Sequence, residues 1–103
     1  MKIYLSKENN ILFIYVGKKF SNNSFLELNN YISKVLLNSD IKKVVVNLKD
    51  LEVLTPAACN SFVKLKWIMK LKKGSIYFED VKSIYFEELK KLNLKIKKER
   101  VIQ

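Results

Sequence analysis

The sequence predicts an α/β domain with a mostly parallel β-sheet covered by helices, in the order β-β-α-β-α-β-α-β. Strand-like and helix-like segments alternate after the first strand, which is typical of parallel strands joined by right-handed crossovers. Residues 43–48 contain three consecutive valines, and such an unbroken apolar run is typical of a buried parallel strand. The chain has 103 residues with only two glycines and one proline. We therefore expect tight connections and a single domain that spans residues 1–103.

Two strands and a helix are predicted in the N-terminal part of the chain. Residues 2–5 and 11–16 are the strands, and the second is wholly apolar, which favours a central position in the sheet. Ser24 and Glu27 have the S-x-x-E spacing of a capping box at a helix start. The helix that follows should end near Asn38 and turn an apolar face inward. That face comprises Phe25, Leu28, Ile32, Val35 and Leu36.

The predicted second helix begins with a clear capping signal. Thr55 is a favoured N-cap residue, and Pro56 suits the first helical position because its missing N–H would be unpaired there anyway. The helix should run to about Lys72 and stop at Gly74.

A strand, a third helix and a last short strand complete the prediction. Residues 75–79 form the strand, and Asp80 is expected to cap a helix that continues to about Leu92. Residues 94–97 alternate apolar and basic side chains, as a half-exposed strand would. The inward face of the third helix should comprise Val81, Ile84, Tyr85, Leu89 and Leu92.

The net charge of +10 is the most conspicuous feature of the composition. Nineteen of the 20 basic residues are lysines spread over every segment, and Arg100 is the single arginine. Direct readout of bases and phosphates favours arginine for its bidentate fork, so the composition favours a general attraction to acidic partners over nucleic acid. A basic nucleic-acid-binding domain is kept as an alternative of a different class. It would use Lys90, Lys91, Lys95, Lys97, Lys98 and Arg100.

The residue inventory disfavours an enzyme, a metal site and a bound cofactor. The chain has no histidine, one cysteine and glycines only at positions 17 and 74, which excludes His-dependent triads, thiolate zinc sites and Gly-rich phosphate loops. The acidic pair Glu79–Asp80 is interpreted as helix capping, and Glu87–Glu88 as a solvated helix face. Cys59 lies near a helix N-terminus, which can lower a thiol pKa, but without a nearby base a small core or interface residue is the simpler interpretation.

The expected location is the cytosol. The first ten residues are too short and polar for a signal-peptide core, and no apolar run approaches the roughly 18 residues needed to span a bilayer.

Residues 41–60, which read IKKVVVNLKDLEVLTPAACN, resemble the centre of STAS domains. The shared pattern is a valine-rich strand, the Asn47–Leu48 step, a short apolar loop and a capped helix. The resemblance includes residues 80–86, similar to the third helix of that family, and covers about residues 11–97. STAS domains include the antagonists of bacterial anti-sigma factors and subunits of phospholipid ABC transporters.

The resemblance implies a protein-binding loop without its usual phosphorylation switch. In the antagonists the loop reads Asp-Ser-Ser-Gly, and the second serine is phosphorylated by an anti-sigma factor kinase. Thr55 and Pro56 fall at the first two positions, Ala57 at the phosphorylated serine and Ala58 at the glycine. Ala57 cannot carry the added charge on which that switch depends.

The second helix carries two apolar stripes more than 100° apart. Ala58, Phe62, Leu65 and Met69 share one face with Ile68 nearby, and that arc should meet the sheet. Cys59, Val63, Trp67 and Leu71 form the other stripe, which is either covered by neighbouring helices or open for docking or homodimerisation. The expected partner is another protein, such as an anti-sigma factor, a transporter ATPase or another signalling protein. The predicted partner-binding residues are Thr55, Pro56, Ala57, Ala58, Cys59, Asn60, Val63 and Trp67.

Overall fold

A computed structural model describes residues 1–6 and 8–97 of the chain. Its strands are β1 (Lys2–Ser6), β2 (Ile11–Tyr15), β3 (Lys43–Asn47) and β4 (Ser75–Glu79). Its α-helices are α1 (Asn22–Lys34), α2 (Pro56–Leu71) and α3 (Phe86–Lys91), with short 3₁₀ helices at Leu36–Asn38 and Ser83–Tyr85.

The four strands form one mixed sheet in the order β1-β2-β3-β4. β1 runs antiparallel to β2, whereas β2, β3 and β4 are parallel to one another. The register pairs Phe13 with Val45 and Val45 with Tyr77. The mostly parallel sheet and the central position of β2 are therefore as the sequence predicts.

All three helices pack on the same face of the sheet. Because β2, β3 and β4 succeed one another in both sequence and space, two right-handed crossovers place α1 and α2 on one side. Phe62 of α2 is the centre of the resulting core. Its ring lies edge-on to Phe20 at 5.8 Å and to Phe78 at 5.1 Å between centroids, both suitable separations for aromatic pairs.

The opposite face of the sheet receives none of the helices' buried side chains. Tyr4 and Phe13 stack there with centroids 5.1 Å apart, and the Nζ of Lys43 lies 5.5 Å from the centre of the Tyr77 ring. Val45 is only 5% exposed but lies outside the main core cluster. In the described part of the chain, the helices thus cover the sheet on one side alone.

The start of α1 differs from the prediction by one helical turn. Ser21, not Ser24, is the N-cap, and it forms a capping box in which its hydroxyl accepts from the Ser24 N–H at 3.2 Å. Ser24 replaces the glutamate of the usual box, so the expected pair with Glu27 is wrong. Val35 follows the last residue of α1 and is 40% exposed, whereas Leu36 is fully buried at the start of the 3₁₀ turn.

The expected long third helix is wrong, because Asp80 adopts a left-handed backbone conformation (φ +53°) that an N-cap residue does not have. The chain instead leaves β4 through a turn, forms the Ser83–Tyr85 3₁₀ helix and continues into the six-residue α3. Tyr85 and Leu89 are buried as predicted, but Ile84 is 73% exposed. Val81 and Leu92 are partly buried against the core.

The last predicted strand is reduced to one parallel bridge between Phe78 and Ile96. Leu94 is buried while Lys95 and Lys97 are exposed, so the expected alternation is present without a full ladder. Lys98 and Arg100, named in the nucleic-acid alternative, lie outside the described residues.

Candidate functional site

The first turn of α2 is held by its N-cap residue. The hydroxyl of Thr55 accepts a hydrogen bond from the Ala58 N–H at 3.2 Å, and the Thr55 carbonyl accepts from the Cys59 N–H at 3.0 Å. Pro56 occupies the first helical position. The predicted cap is therefore confirmed, and its hydroxyl oxygen already has a main-chain partner.

Asn47 organises the loops at the carboxyl ends of the neighbouring strands. Its side-chain oxygen accepts from the Lys49 N–H at 2.9 Å, and its amide group donates to Glu79 at 3.2 Å and to Asp80 at 2.9 Å. The Asp80 carboxylate thus contacts Asn47 and does not cap a helix, which corrects the interpretation of the Glu79–Asp80 pair. These bonds fix the start of the loop that leads into α2.

The predicted partner-binding residues lie together but differ in accessibility. Pro56 and Asn60 are exposed at the start of α2, Ala57 and Cys59 are partly buried, and Ala58 is fully buried. Ala58 therefore belongs to the core and cannot contact a partner directly. The remaining residues of this turn form one small surface.

The first apolar stripe of α2 meets the sheet, and the second becomes progressively exposed along the helix. Every residue of the predicted inner arc is buried. In the outer stripe Val63 is partly buried, whereas Trp67 is 52% and Leu71 81% exposed. Neighbouring elements thus cover the beginning of the second stripe and leave its end open.

Trp67 is flanked by cations from its own helix. The Nζ of Lys66 lies 5.6 Å and that of Lys70 5.0 Å from the centre of the indole ring. These distances are within the range of cation–π interactions. The exposed end of α2 therefore presents an aromatic side chain in a positively charged setting.

The surroundings of Cys59 raise the pKa of its thiol. Partial burial raises its pKa, the negative charge of Glu88 raises it further, and the hydrogen bond to its backbone only partly opposes these effects. A raised pKa reduces the thiolate fraction at neutral pH. The simpler interpretation of Cys59 as a packing or interface residue is the one that this environment favours.

Ser61 lies one turn beyond Ala57 on the same helix, and its burial was not predicted from the sequence. It is 1% exposed, and its hydroxyl has no hydrogen-bond partner in the structure. Helical spacing is the signal that could have identified it, because Ser61 lies three residues after Ala58 and four before Leu65, on the inner arc of α2.

Two further findings concern the described residues only. Among them, no three side chains of cysteine, aspartate or glutamate come together in a way that could hold a metal ion. None of the helices within residues 1–6 and 8–97 combines the length and apolar character needed to cross a membrane.

Known proteins resemble this chain in structure and not in sequence. No family model and no curated protein matches the sequence. The anti-sigma factor antagonist SpoIIAA in its unphosphorylated form superimposes with a TM-score of 0.81 at 6% identity, covering 95% of this chain and 87% of SpoIIAA. A variant of RsbS from Moorella thermoacetica gives 0.77 at 10% identity, covering 95% of this chain and 86% of that chain. TM1081 of Thermotoga maritima gives 0.70 at 13% identity, with coverages of 96% and 86%.

These similarities extend over nearly the whole described chain and include the order of strands and helices. At such low sequence identities, the similarity establishes the fold but does not assign roles to individual residues. The chain has the fold of the STAS-type anti-sigma factor antagonists.

Proposed function

We propose that the protein is a non-enzymatic STAS module that binds another protein through the first turn of α2 and the exposed stripe beyond it. The observation that carries this proposal is the half-exposed Trp67 on the same helix as the Thr55–Asn60 turn. Tryptophan is enriched among the residues that dominate binding energy at protein interfaces. The indole is 52% exposed and is therefore available to a partner.

The charge around Trp67 indicates the chemistry of the partner. Lys66 and Lys70 flank the ring, and Lys64 is exposed one turn earlier. A complementary surface would offer an apolar pocket for the indole with acidic side chains at its rim. An anti-sigma factor, another signalling protein or the ATPase of a lipid transporter are the partner classes that the fold suggests.

The same module would lack the phosphorylation switch. By the resemblance of the loop, Ala57 would correspond to the modified serine of the antagonists. Ser61 is 1% exposed and therefore poorly accessible to a kinase. The Thr55 hydroxyl is engaged in capping α2. Incubation with a kinase of the anti-sigma type and ATP should therefore add no phosphate, as measured by intact mass.

An Ala57→Ser variant is the matched positive test of this residue correspondence. If the same kinase modifies Ala57→Ser but not the native chain, the loss of the switch is attributable to this position. A stoichiometric phosphate on Thr55 or Ser61 of the native chain would contradict the proposal.

The docking surface can be tested by parallel affinity capture with the native chain and two variants. Trp67→Ala removes the proposed anchor, and Tyr4→Ala removes an aromatic side chain of similar exposure (57%) on the opposite face of the sheet. A partner retained by the native chain and by Tyr4→Ala, but lost with Trp67→Ala, would support the proposal. Loss with both variants, or with Tyr4→Ala alone, would contradict it.

Salt dependence separates this proposal from the nucleic-acid alternative. Phosphate contacts make affinity fall steeply as ionic strength rises, whereas docking through an apolar anchor is much less sensitive. Replacing Lys90, Lys91, Lys95, Lys97 and Lys98 with glutamine should leave partner affinity within a few-fold at physiological salt. Salt-sensitive binding to a single or double strand that disappears in this variant would favour the alternative instead.

A further inference from the structure

A cleft of about 910 Å³ lies beyond the carboxyl end of β4, apart from the surface of α2 described above. It is bounded by the turn after β4, by α3 and by residues 94–97. Its volume is in the range of small-molecule binding sites.

The floor of the cleft is apolar. It is formed by Val81, Phe86, Leu94 and Ile96, which come from three separate segments of the chain. Leu94 is 4% exposed and belongs to the core, whereas Phe86 is 37% exposed and shows part of its ring to the solvent. Such a surface can bury a hydrocarbon group of a ligand.

The rim of the cleft is positively charged. Lys49, Lys90 and Lys97 are exposed around it. A fourth lysine, Lys82, donates to the Leu51 carbonyl at 3.0 Å and is therefore fixed at the wall. The one carboxylate of the lining, that of Asp80, accepts from Asn47 at 2.9 Å. The charges facing the opening are thus predominantly ammonium groups.

We propose that this cleft binds an amphiphilic anion, which has a hydrocarbon chain and a negatively charged head. The chain would lie on the apolar floor, and the head would be held among the rim lysines. An anionic head fits this charge pattern, whereas a cationic or uncharged head would leave the ammonium groups unpaired. The cleft shares no residue with the proposed protein-docking surface, so each proposal can fail without the other.

Decanoate, at concentrations where it is monomeric, is a suitable probe for the full-length chain. Titration followed by backbone amide NMR shifts should saturate and map to the floor and rim of the cleft. Decyltrimethylammonium, with the same chain and the opposite charge, should bind at least about tenfold more weakly, and acetate should not saturate. Equal binding of both long-chain probes would overturn the proposal, as would shifts confined to another surface.

Charge reversal supplies the matched variants. Changing Lys49, Lys90 and Lys97 to glutamate should weaken decanoate binding by about tenfold or more. The same change at Lys34, Lys43 and Lys73 alters the net charge equally at exposed sites near the opposite end of the sheet. An equal loss in both triple variants would show that only the overall charge matters and would overturn the site. Because all six positions are exposed, both variants should keep the fold, which the dispersion of the same NMR spectra checks. Binding to anionic vesicles without binding of monomeric decanoate would likewise contradict the proposal, because the cleft would then be a membrane contact.

Discussion

The hydroxyl of Tyr85 donates a hydrogen bond of 3.1 Å to the main-chain carbonyl of Leu51, joining the segment after β4 to the loop that precedes α2. Both residues are buried, and the two lie 34 positions apart in the sequence. The same carbonyl also accepts from Lys82 at 3.0 Å. This oxygen is therefore the point at which the third helical segment is fixed against the candidate docking site.

We expect Tyr85→Phe to lower the free energy of unfolding by about 1 kcal/mol, because it deletes one buried hydrogen bond while the ring stays packed. The second bond from Lys82 keeps the Leu51 carbonyl from being left unpaired, which limits the loss. Denaturant unfolding measures the change. Tyr4→Phe is the control, since the Tyr4 side chain is 57% exposed, and it should have almost no effect; a loss above about 3 kcal/mol at Tyr85 would contradict this account.

Trp67→Ala should lower the free energy of unfolding by less than about 1.5 kcal/mol, since half of the indole already faces the solvent. For comparison, Phe62→Ala on the buried face of the same helix should cost about 3–5 kcal/mol. The fluorescence of Trp67, the single tryptophan, should be red-shifted and quenched readily by a soluble quencher. A blue-shifted, shielded emission together with a large stability loss would show that the stripe is covered.

Replacing either glycine with alanine should lower the stability of the fold, but for different physical reasons. A Cβ at Gly74 would collide with the carbonyl oxygen of Lys42 and approach Met69 Cε to 2.8 Å, so Gly74→Ala should cost about 2–3 kcal/mol. At Gly17 the nearest atom would be 3.9 Å away, and the cost arises from its positive φ of +83°, about 1 kcal/mol. Thermal unfolding of both variants tests whether Gly74→Ala is the more destabilising change. A larger loss of stability for Gly17→Ala would contradict this account.

Cys59 should react slowly with iodoacetamide at neutral pH. Its raised pKa means that the thiolate appears at higher pH in the folded chain than in the unfolded chain. The small stabilisation from this group is therefore complete below the ordinary thiol pKa and is lost as the pH rises through the raised value. The pH profile of alkylation, compared with that of the urea-unfolded chain, should be displaced upward; a downward displacement would indicate an activated thiol.

The sequence predicts those elements whose signals are local. β4 was predicted at its observed bounds, because its apolar alternation is bordered by Gly74 and by Asp80. The start of α2 was predicted correctly because Thr55 and Pro56 each have a positional preference that no tertiary contact opposes.

Elements decided by tertiary contacts could not be predicted in this way. The first part of the predicted third helix is replaced by a turn and a 3₁₀ helix. At its expected start, Asp80 has a left-handed backbone, and its carboxylate accepts from Asn47, which is 33 positions away in the sequence and gives no local signal. The sequence predicts that α2 stops at Gly74, but the left-handed residue after the helix is Lys73 (φ +60°). The Gly74 N–H then donates to the Met69 carbonyl at 2.7 Å, and glycine is required there for its approach to Lys42.

The candidate site was predictable in part for the same reason. The positions of Thr55 to Asn60 follow from the cap, whereas the exposure of Trp67 depends on which elements pack beside the outer stripe of α2. Helical spacing gives two stripes but does not say which neighbour covers the second. Val63 is partly buried and Leu71 is exposed, although both belong to the same stripe, because the neighbouring elements cover only part of α2.

The antiparallel pairing of β1 has a practical consequence for any chain fused ahead of Met1. Lys2 pairs with Tyr15, so the N-terminus emerges at the edge of the sheet where the parallel strands end and where α2 begins. It lies two strand spacings, roughly 10 Å, from the end of β3. A purification tag or a preceding domain would enter on the side proposed for partner docking, and a short linker there would obstruct the partner.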